Sequence, residues 1–377
     1  MEEELLVTAY AHINTVPNGS TGGIMMKEHK ELLAAGEDSY AFWGRGCDAE
    51  NANEMRFASD LEVKLDVLQT RLDGKAGFHS RAATKRLLAR LDEIAPDVVH
   101  LHNLHGYYVN IEMLFEWLAS HDCRVEWTLH DCWAFTGHCA YFTYVKCDGW
   151  KTRCDDSCPQ LGTYPATFSK DSCSWNYDQK KRLFNLVPAD RMKLITPSKW
   201  LADLVVQSFL VKYPVEVRHN TIDTSVFKPT PSDFRERYGI GNRFMVLGVA
   251  SPWTERKGLV DFIKLANGLN SEEYAIVLVG LSEKQLKELP ANIVGLARTD
   301  SLQELVSIYT AADVFFNPTR EDNYPTTLLE AQACGTSVLT YLVGGCAEAL
   351  SVKGSCAVAG FDVALRYIGK MRLEGGR

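Results

Sequence analysis

Short apolar runs rich in Val, Ile and Leu recur along this chain, separated almost throughout by amphipathic segments of helix length. That alternation is the pattern of parallel strands covered by helices, because a crossover helix buries each strand on both faces. In the first half the runs are ELLVTAY (4–10), SYAFWG (39–44), DVVHLH (97–102), RVEWTLH (124–130) and MKLITP (192–197). The second half repeats the rhythm in RFMVLGVA (243–250), EYAIVLVG (273–280), ANIVGLA (291–297), DVFFNP (313–318) and SVLTYL (337–342). The reading is α/β, with two Rossmann-like, doubly wound parallel-sheet domains facing across a cleft. The join falls in VEVRHNTIDTSVFKPTPSDF (215–234), whose Asn, Thr, Asp and Pro read as turns. The expected domains are therefore 1–220 and 221–360, followed by a helix and tail over 361–377, with a Cys-rich insertion at about 132–160 in the first.

A length of 377 residues agrees with two cores of ordinary size, and 46% hydrophobic with 23% charged residues describes a globular chain. No apolar run reaches the roughly 18 residues that span a bilayer. The start, MEEELLVTAY, carries acids where a secretory signal carries bases, so a cytoplasmic location is expected. A net charge of −8 argues against a nucleic-acid partner. Arg81, Lys85, Arg86 and Arg90, in SRAATKRLLARL, form either a solvated helix face or a patch for peripheral contact with an anionic membrane.

In open α/β sheets ligands bind beyond the carboxyl ends of the strands, so functional residues belong just after them. RFMVLGVA is followed by SPWTERKG, with Arg256 and Lys257; DVFFNP is followed by TREDNYPTTLLEA. Pro325 suits a first helical position, where its missing N–H has no partner to lose. The N–H groups of Thr326 and Thr327 would then face the cleft at the positive end of a helix, a place for phosphate oxygens. Glu330, about a turn and a half further in, could accept from a ribose diol, while Asp322 stays in the preceding loop. Alone, an acid near a helix start is a dipole complement and RKG a solvated turn; together, after strands of one domain, they read as a nucleotide-sugar site.

The run from Arg298 through TREDNYPTTLLEAQACGTSVLTYLVGG resembles the nucleotide-binding domain of retaining glycosyltransferases of family 4, which have the GT-B fold. The likeness extends to NGSTGGIMM (18–26), VVHLHNLHGYYVNIEML (98–114) and TLHDCWAFTGHC (128–139), as in bacterial capsule, colanic-acid and exopolysaccharide enzymes. The resemblance implies that Glu330 is the second acid of the E-x7-E motif and holds the ribose. Asp322 stands where the first acid is expected, with Glu321 the candidate if the register slips by one. Arg256 and Lys257 match the basic pair that stabilises the leaving diphosphate. His130 matches a histidine near the donor sugar, and Gly22 and Gly23 match a glycine-rich loop beside the donor phosphates. Tyr324, Pro325, Thr326 and Thr327 complete the implied donor-binding set, and His102, Asn103 and His105 are candidate contacts on the acceptor side.

Also implied are metal-independent transfer, retention, a UDP- or GDP-linked donor, and a saccharide or lipid-linked saccharide acceptor in surface polysaccharide synthesis. A non-catalytic nucleotide-sugar-binding protein is the competing reading, because Asp322 is shorter than the acid of the general pattern. A nucleotide-sugar epimerase is disfavoured by the Arg-Lys and acid-pair pattern.

Five of the eleven cysteines crowd into residues 130–160. In a reducing compartment clustered cysteines read as metal ligands before disulfides. Cys139, Cys147, Cys154 and Cys158 are the candidate ligands of a structural zinc that would staple the insertion; free buried thiols and a disulfide are the alternatives.

Overall fold

A computed structural model describes residues 7–299 and 301–375. Parts of two expected segments, 4–6 and 376–377, lie outside the described residues, as does position 300 in the family-like run. The chain divides into two compact units, Met1–His219 and Asn220–Arg377.

The first unit holds a seven-stranded parallel sheet of β1 (Ala9–Asn14), β2 (Asp38–Trp43), β3 (Glu54–Arg56), β4 (Val98–Leu101), β5 (Arg124–Thr128), β6 (Met192–Thr196) and β7 (Val215–Val217). Its order is β3-β2-β1-β4-β5-β6-β7, so the winding reverses between β1 and β4. The second unit holds β8 (Phe244–Val249), β9 (Tyr274–Val279), β10 (Ile293–Leu296), β11 (Val314–Asn317), β12 (Ser337–Tyr341) and β13 (Cys356–Val358). Their order, β10-β9-β8-β11-β12-β13, reverses between β8 and β11. Both sheets are parallel in every pairing of the described strands.

The departures from expectation have physical causes. The first strand runs over Ala9–Asn14 rather than 4–10, because its buried interior includes His12 and Asn14, which hydropathy reads as loop. β3, β7 and β13 are three-residue edge strands with too little apolar signal, and β7 lies inside the segment read as turns. The last helix, Phe361–Leu373, buries Ala364 and Ile368 in the core of the second unit and pairs Arg372 with Glu273 at 3.0 Å. In the helix Arg81–Ile94, three of the four basic residues have acidic partners: Arg81 with Glu112, Arg86 with Glu62 and Arg90 with Glu93. Another apolar face escaped the sequence reading: Leu61, Leu65, Leu68 and Leu72 recur at helical spacing on the helix Asp60–Asp73 and are 49–66% exposed.

Candidate functional site

In the second unit, the segments after β8 and β11 meet at the winding reversal. The Arg320 N–H donates to the Arg256 carbonyl at 2.7 Å, and the Thr319 hydroxyl donates to the same oxygen at 3.2 Å. This backbone clasp presents Arg256 and Lys257 beside Asp322. Lys257 Nζ lies 2.6 Å from Asp322 Oδ2 and Arg256 Nη1 lies 3.6 Å from it, while Arg256 also donates to the Glu321 carbonyl. Asp322 is only 6% exposed. Burial pushes its carboxyl up, but the Lys257 and Arg256 cations and the Lys257 hydrogen bond outweigh burial and hold it below the ordinary value. The carboxylate that touches the basic pair is thus that of Asp322; Glu321 is fully buried and gives Arg256 its backbone carbonyl.

The loop is locked from the other side by Gly344. Its φ is +56°, and a Cβ there would stand 1.9 Å from the Asp322 carbonyl, which the Gly345 N–H engages at 3.1 Å. The helix that follows runs over Thr326–Ala333, with no acid in its first turn. Pro325 stands just before it with φ −68° and ψ 124°, so it caps the helix rather than opening it. The Leu328 N–H is already bonded to the Pro325 carbonyl at 3.1 Å. The side chain of Tyr324 faces the core: its ring packs there, its hydroxyl reaches the Glu348 carbonyl at 3.4 Å, and its own carbonyl accepts from Asn220 at 3.0 Å. Glu330 is half-buried and accepts from the Tyr309 hydroxyl at 2.9 Å; burial raises its carboxyl above the ordinary value although Tyr309 and Thr326 bond it. Tyr309 was not legible beforehand, because a single tyrosine on a helix carries no motif. Arg320 was missed likewise: its Nη1 is 2.8 Å from the fully buried Asp261, which also accepts from the Tyr341 hydroxyl at 2.6 Å.

In the first unit, the winding reversal lies between β1 and β4, and the expected residues gather beyond those strands and β5. Gly22 and Gly23 do not form a loop; they lie in the helix Gly19–Ala34. A Cβ at Gly22 would meet the backbone of Val16 and Pro17 at 2.6 Å, so glycine there admits the protein's own chain, while Gly23 faces open space. His102 Nδ1 is 3.1 Å from His130 Nε2, and their rings stack at 5.4 Å. Burial lowers the His130 pKa to about 4 despite Asp131 and Glu28, so the imidazole is neutral near pH 7. His105 Nε2 lies 2.7 Å from Asp131, which is fixed by the Trp133 N–H at 2.9 Å. Asn103 is held through its backbone: its N–H donates to Asn14 at 3.2 Å and its carbonyl accepts from Thr15 and Tyr108.

None of the eleven cysteines is disulfide-bonded. Cys158 accepts from the thiols of both Cys139 and Cys173, and Cys154 receives the Gly137 N–H at 3.2 Å. Cys173, which opens the helix Cys173–Leu183, lies outside the window that suggested the quartet, yet it is closer to Cys158 than the sequence spacing indicated. Among the described residues, the group whose ligand atoms all lie within 4.8 Å of one another is His12, Glu28, His100 and His102, and not the four expected cysteines.

The family described as "Glycosyl transferases group 1" matches residues 242–365, the stretch that carries both basic residues and both acids. Over 370 residues the chain is 24% identical to a protein of Escherichia coli K12 named as a colanic acid biosynthesis glycosyl transferase, WcaC, covering 92% of this chain and 85% of that protein. Among solved structures, sucrose-phosphate synthase from Thermosynechococcus elongatus superposes with a TM-score of 0.70 at 14% identity, over 98% of this chain and 90% of that one. HepE of Anabaena, in complex with UDP and glucose, superposes with a TM-score of 0.61 at 14% identity, over 97% and 89%.

Proposed function

We propose that this chain, which carries a group 1 glycosyltransferase domain on the GT-B fold, moves a hexose from a nucleotide-diphosphate sugar to a saccharide or lipid-linked saccharide. The observation that carries the reading is the convergence of Arg256, Lys257 and Asp322 beyond β8 and β11 of one sheet, with Glu330 on the helix that follows β11. Transfer builds negative charge on the departing diphosphate, and fixed cations aimed at such charge are worth about 3–4 kcal/mol each at comparable oxyanion sites. In the reading proposed here Arg256 and Lys257 supply that charge without a catalytic metal. Asp322 keeps both cations aimed, and the N–H groups of Thr326 and Thr327, at the start of the helix Thr326–Ala333, receive phosphate oxygens. Glu330, steadied by Tyr309, takes the ribose hydroxyls. A neutral His130 adds no charge that would oppose the positive charge at the anomeric carbon.

Retention belongs to the same proposal and rests on the family resemblance of the sequence; a role in surface polysaccharide synthesis is supported by the likeness to WcaC, and a UDP donor is favoured by the likeness to the UDP-bound HepE. No described helix is long and apolar enough to cross a membrane. The exposed leucines of the helix Asp60–Asp73 support peripheral contact with the cytoplasmic membrane face, where a lipid-linked acceptor would be met.

The test is metal-free calorimetry of UDP and GDP on the wild type and Glu330→Ala, followed by donor turnover. Tight binding of one nucleotide, lost in the variant, with hydrolysis or transfer of the matching donor, is the expected result. Binding with no turnover in either form would make the chain a nucleotide-sugar-binding protein, and binding of neither nucleotide would overturn the donor site.

A further inference from the structure

The first unit buries a set of polar groups that the proposed transfer does not use. His12 on β1 is paired in register with His100 on β4, so their side chains are neighbours on one face of the sheet. His102, two residues beyond His100, returns to the same face just past the strand. Glu28 comes down from the helix Gly19–Ala34. The imidazole centroids lie 5.3 Å (His12–His100), 4.3 Å (His100–His102) and 6.4 Å (His12–His102) apart.

Hydrogen bonding leaves this cluster incomplete. Both ring nitrogens of His12 and Nε2 of His102 are buried with no hydrogen-bond partner among the described residues. Each such orphan costs stability, so a protein that keeps several side by side has a reason to keep them. The neighbouring His29 shows the contrast, with Nδ1 2.8 Å from the Ser39 hydroxyl and Nε2 3.4 Å from Asn53.

We propose that His12, Glu28, His100 and His102 form a closed structural centre for a divalent transition-metal ion, with zinc the best fit. Three imidazoles and one carboxylate are a zinc ligand set, and zinc in structural sites is tetrahedral. Ligands about 2.0–2.1 Å from a tetrahedral ion stand about 3.3 Å apart. Glu28 Oε2 lies 3.1 Å from His100 Nδ1 and 3.8 Å from His102 Nε2, on either side of that value. One ligand atom from each of the four residues lies within 4.8 Å of all the others.

The outer shell is also present. A metal-bound histidine donates its second N–H to a fixed acceptor. Here His100 Nε2 faces the Thr128 hydroxyl at 2.8 Å, and His102 Nδ1 faces His130 Nε2 at 3.1 Å. An ion on His102 Nε2 therefore leaves the proton on Nδ1 and makes His130 Nε2 its acceptor, fixing the tautomer of His130. Glu28, whose side chain is 27% exposed, gives the ion a way in. This centre stands on its own geometry and does not depend on the donor site.

The test compares metal content after saturation with zinc and dialysis, for the full-length wild type, His12→Gln and Glu28→Gln. The wild type is expected to hold one ion per chain more than either variant, and this difference cancels any ion on the cysteines. Equal metal content in all three would overturn the centre. Cobalt loading keeps the proposal falsifiable if both variants misfold. The wild type should then show visible bands beyond those that titrate with thiolate charge transfer; bands that rise only with that transfer place every ion on the cysteines and overturn the assignment.

Discussion

Replacing Lys257 by Met separates what this residue does for the fold from what it does for a bound diphosphate. Lys257 Nζ lies 2.6 Å from a carboxylate that is 6% exposed, and Arg256 stays within 3.6 Å when the lysine is gone. Removing one partner of a fully buried pair costs about 3–5 kcal/mol. With Arg256 retained and the lysine side chain 25% exposed, about 1–3 kcal/mol of stability should be lost. A charge-assisted hydrogen bond to the diphosphate contributes about 1.5–3 kcal/mol, so UDP should bind roughly 10–150-fold more weakly. Uridine, which lacks the diphosphate, should be unaffected. Calorimetry reads both ligands and urea unfolding reads stability. The double variant Lys257→Met/Asp322→Asn should recover part of the lost stability, because the buried carboxylate is neutralised while Arg256 keeps the Glu321 carbonyl as acceptor, yet bind UDP no better than Lys257→Met. Recovery of UDP affinity in the double variant would refute the argument, since Lys257 would then act only by restraining Asp322. Equal weakening of uridine and UDP would refute it too.

Gly344→Ala should lower stability by about 1–3 kcal/mol, seen as a lower urea midpoint, and also weaken UDP, because the new methyl group meets the Asp322 carbonyl at a positive φ. Tyr309→Phe removes a donor from Glu330 and should weaken UDP roughly fivefold while leaving 2′,3′-dideoxy-UDP unchanged, a loss of about 1 kcal/mol by calorimetry. Asp322 titrates below its ordinary 3.8 in the folded chain, so the unfolded chain takes up the proton first as pH falls. Its stabilising contribution is then complete above 3.8 and is lost as pH falls through the lower folded value; Asp322→Asn should flatten that acid limb of urea midpoint against pH.

The two doubly wound sheets were legible because strands buried on both faces need continuous apolar runs, and those runs fell at nearly every central strand. Arg256, Lys257, Asp322 and Glu330 were legible because the carboxyl ends of strands are where such sheets bind ligands, and each followed a readable strand. The sequence left Asp322 and Glu321 as rivals. Only packing separated them, by turning one carboxylate onto the basic pair and burying the other. The glycines at 22 and 23 read as a phosphate loop, yet the chain closes into a helix there and Gly22 admits the Val16–Pro17 backbone.

What the amino-acid order determined by itself was local: periodicity, turn chemistry and the loops that follow strands. What only the tertiary structure decided was which distant residues share a volume. Cys173 joins Cys158 across an intervening loop, and Tyr309 reaches Glu330 from another helix. His12, Glu28, His100 and His102 meet because β1 pairs with β4 at the winding reversal and one helix covers that face. Such juxtapositions depend on strand order and register, and no stretch of sequence contains either.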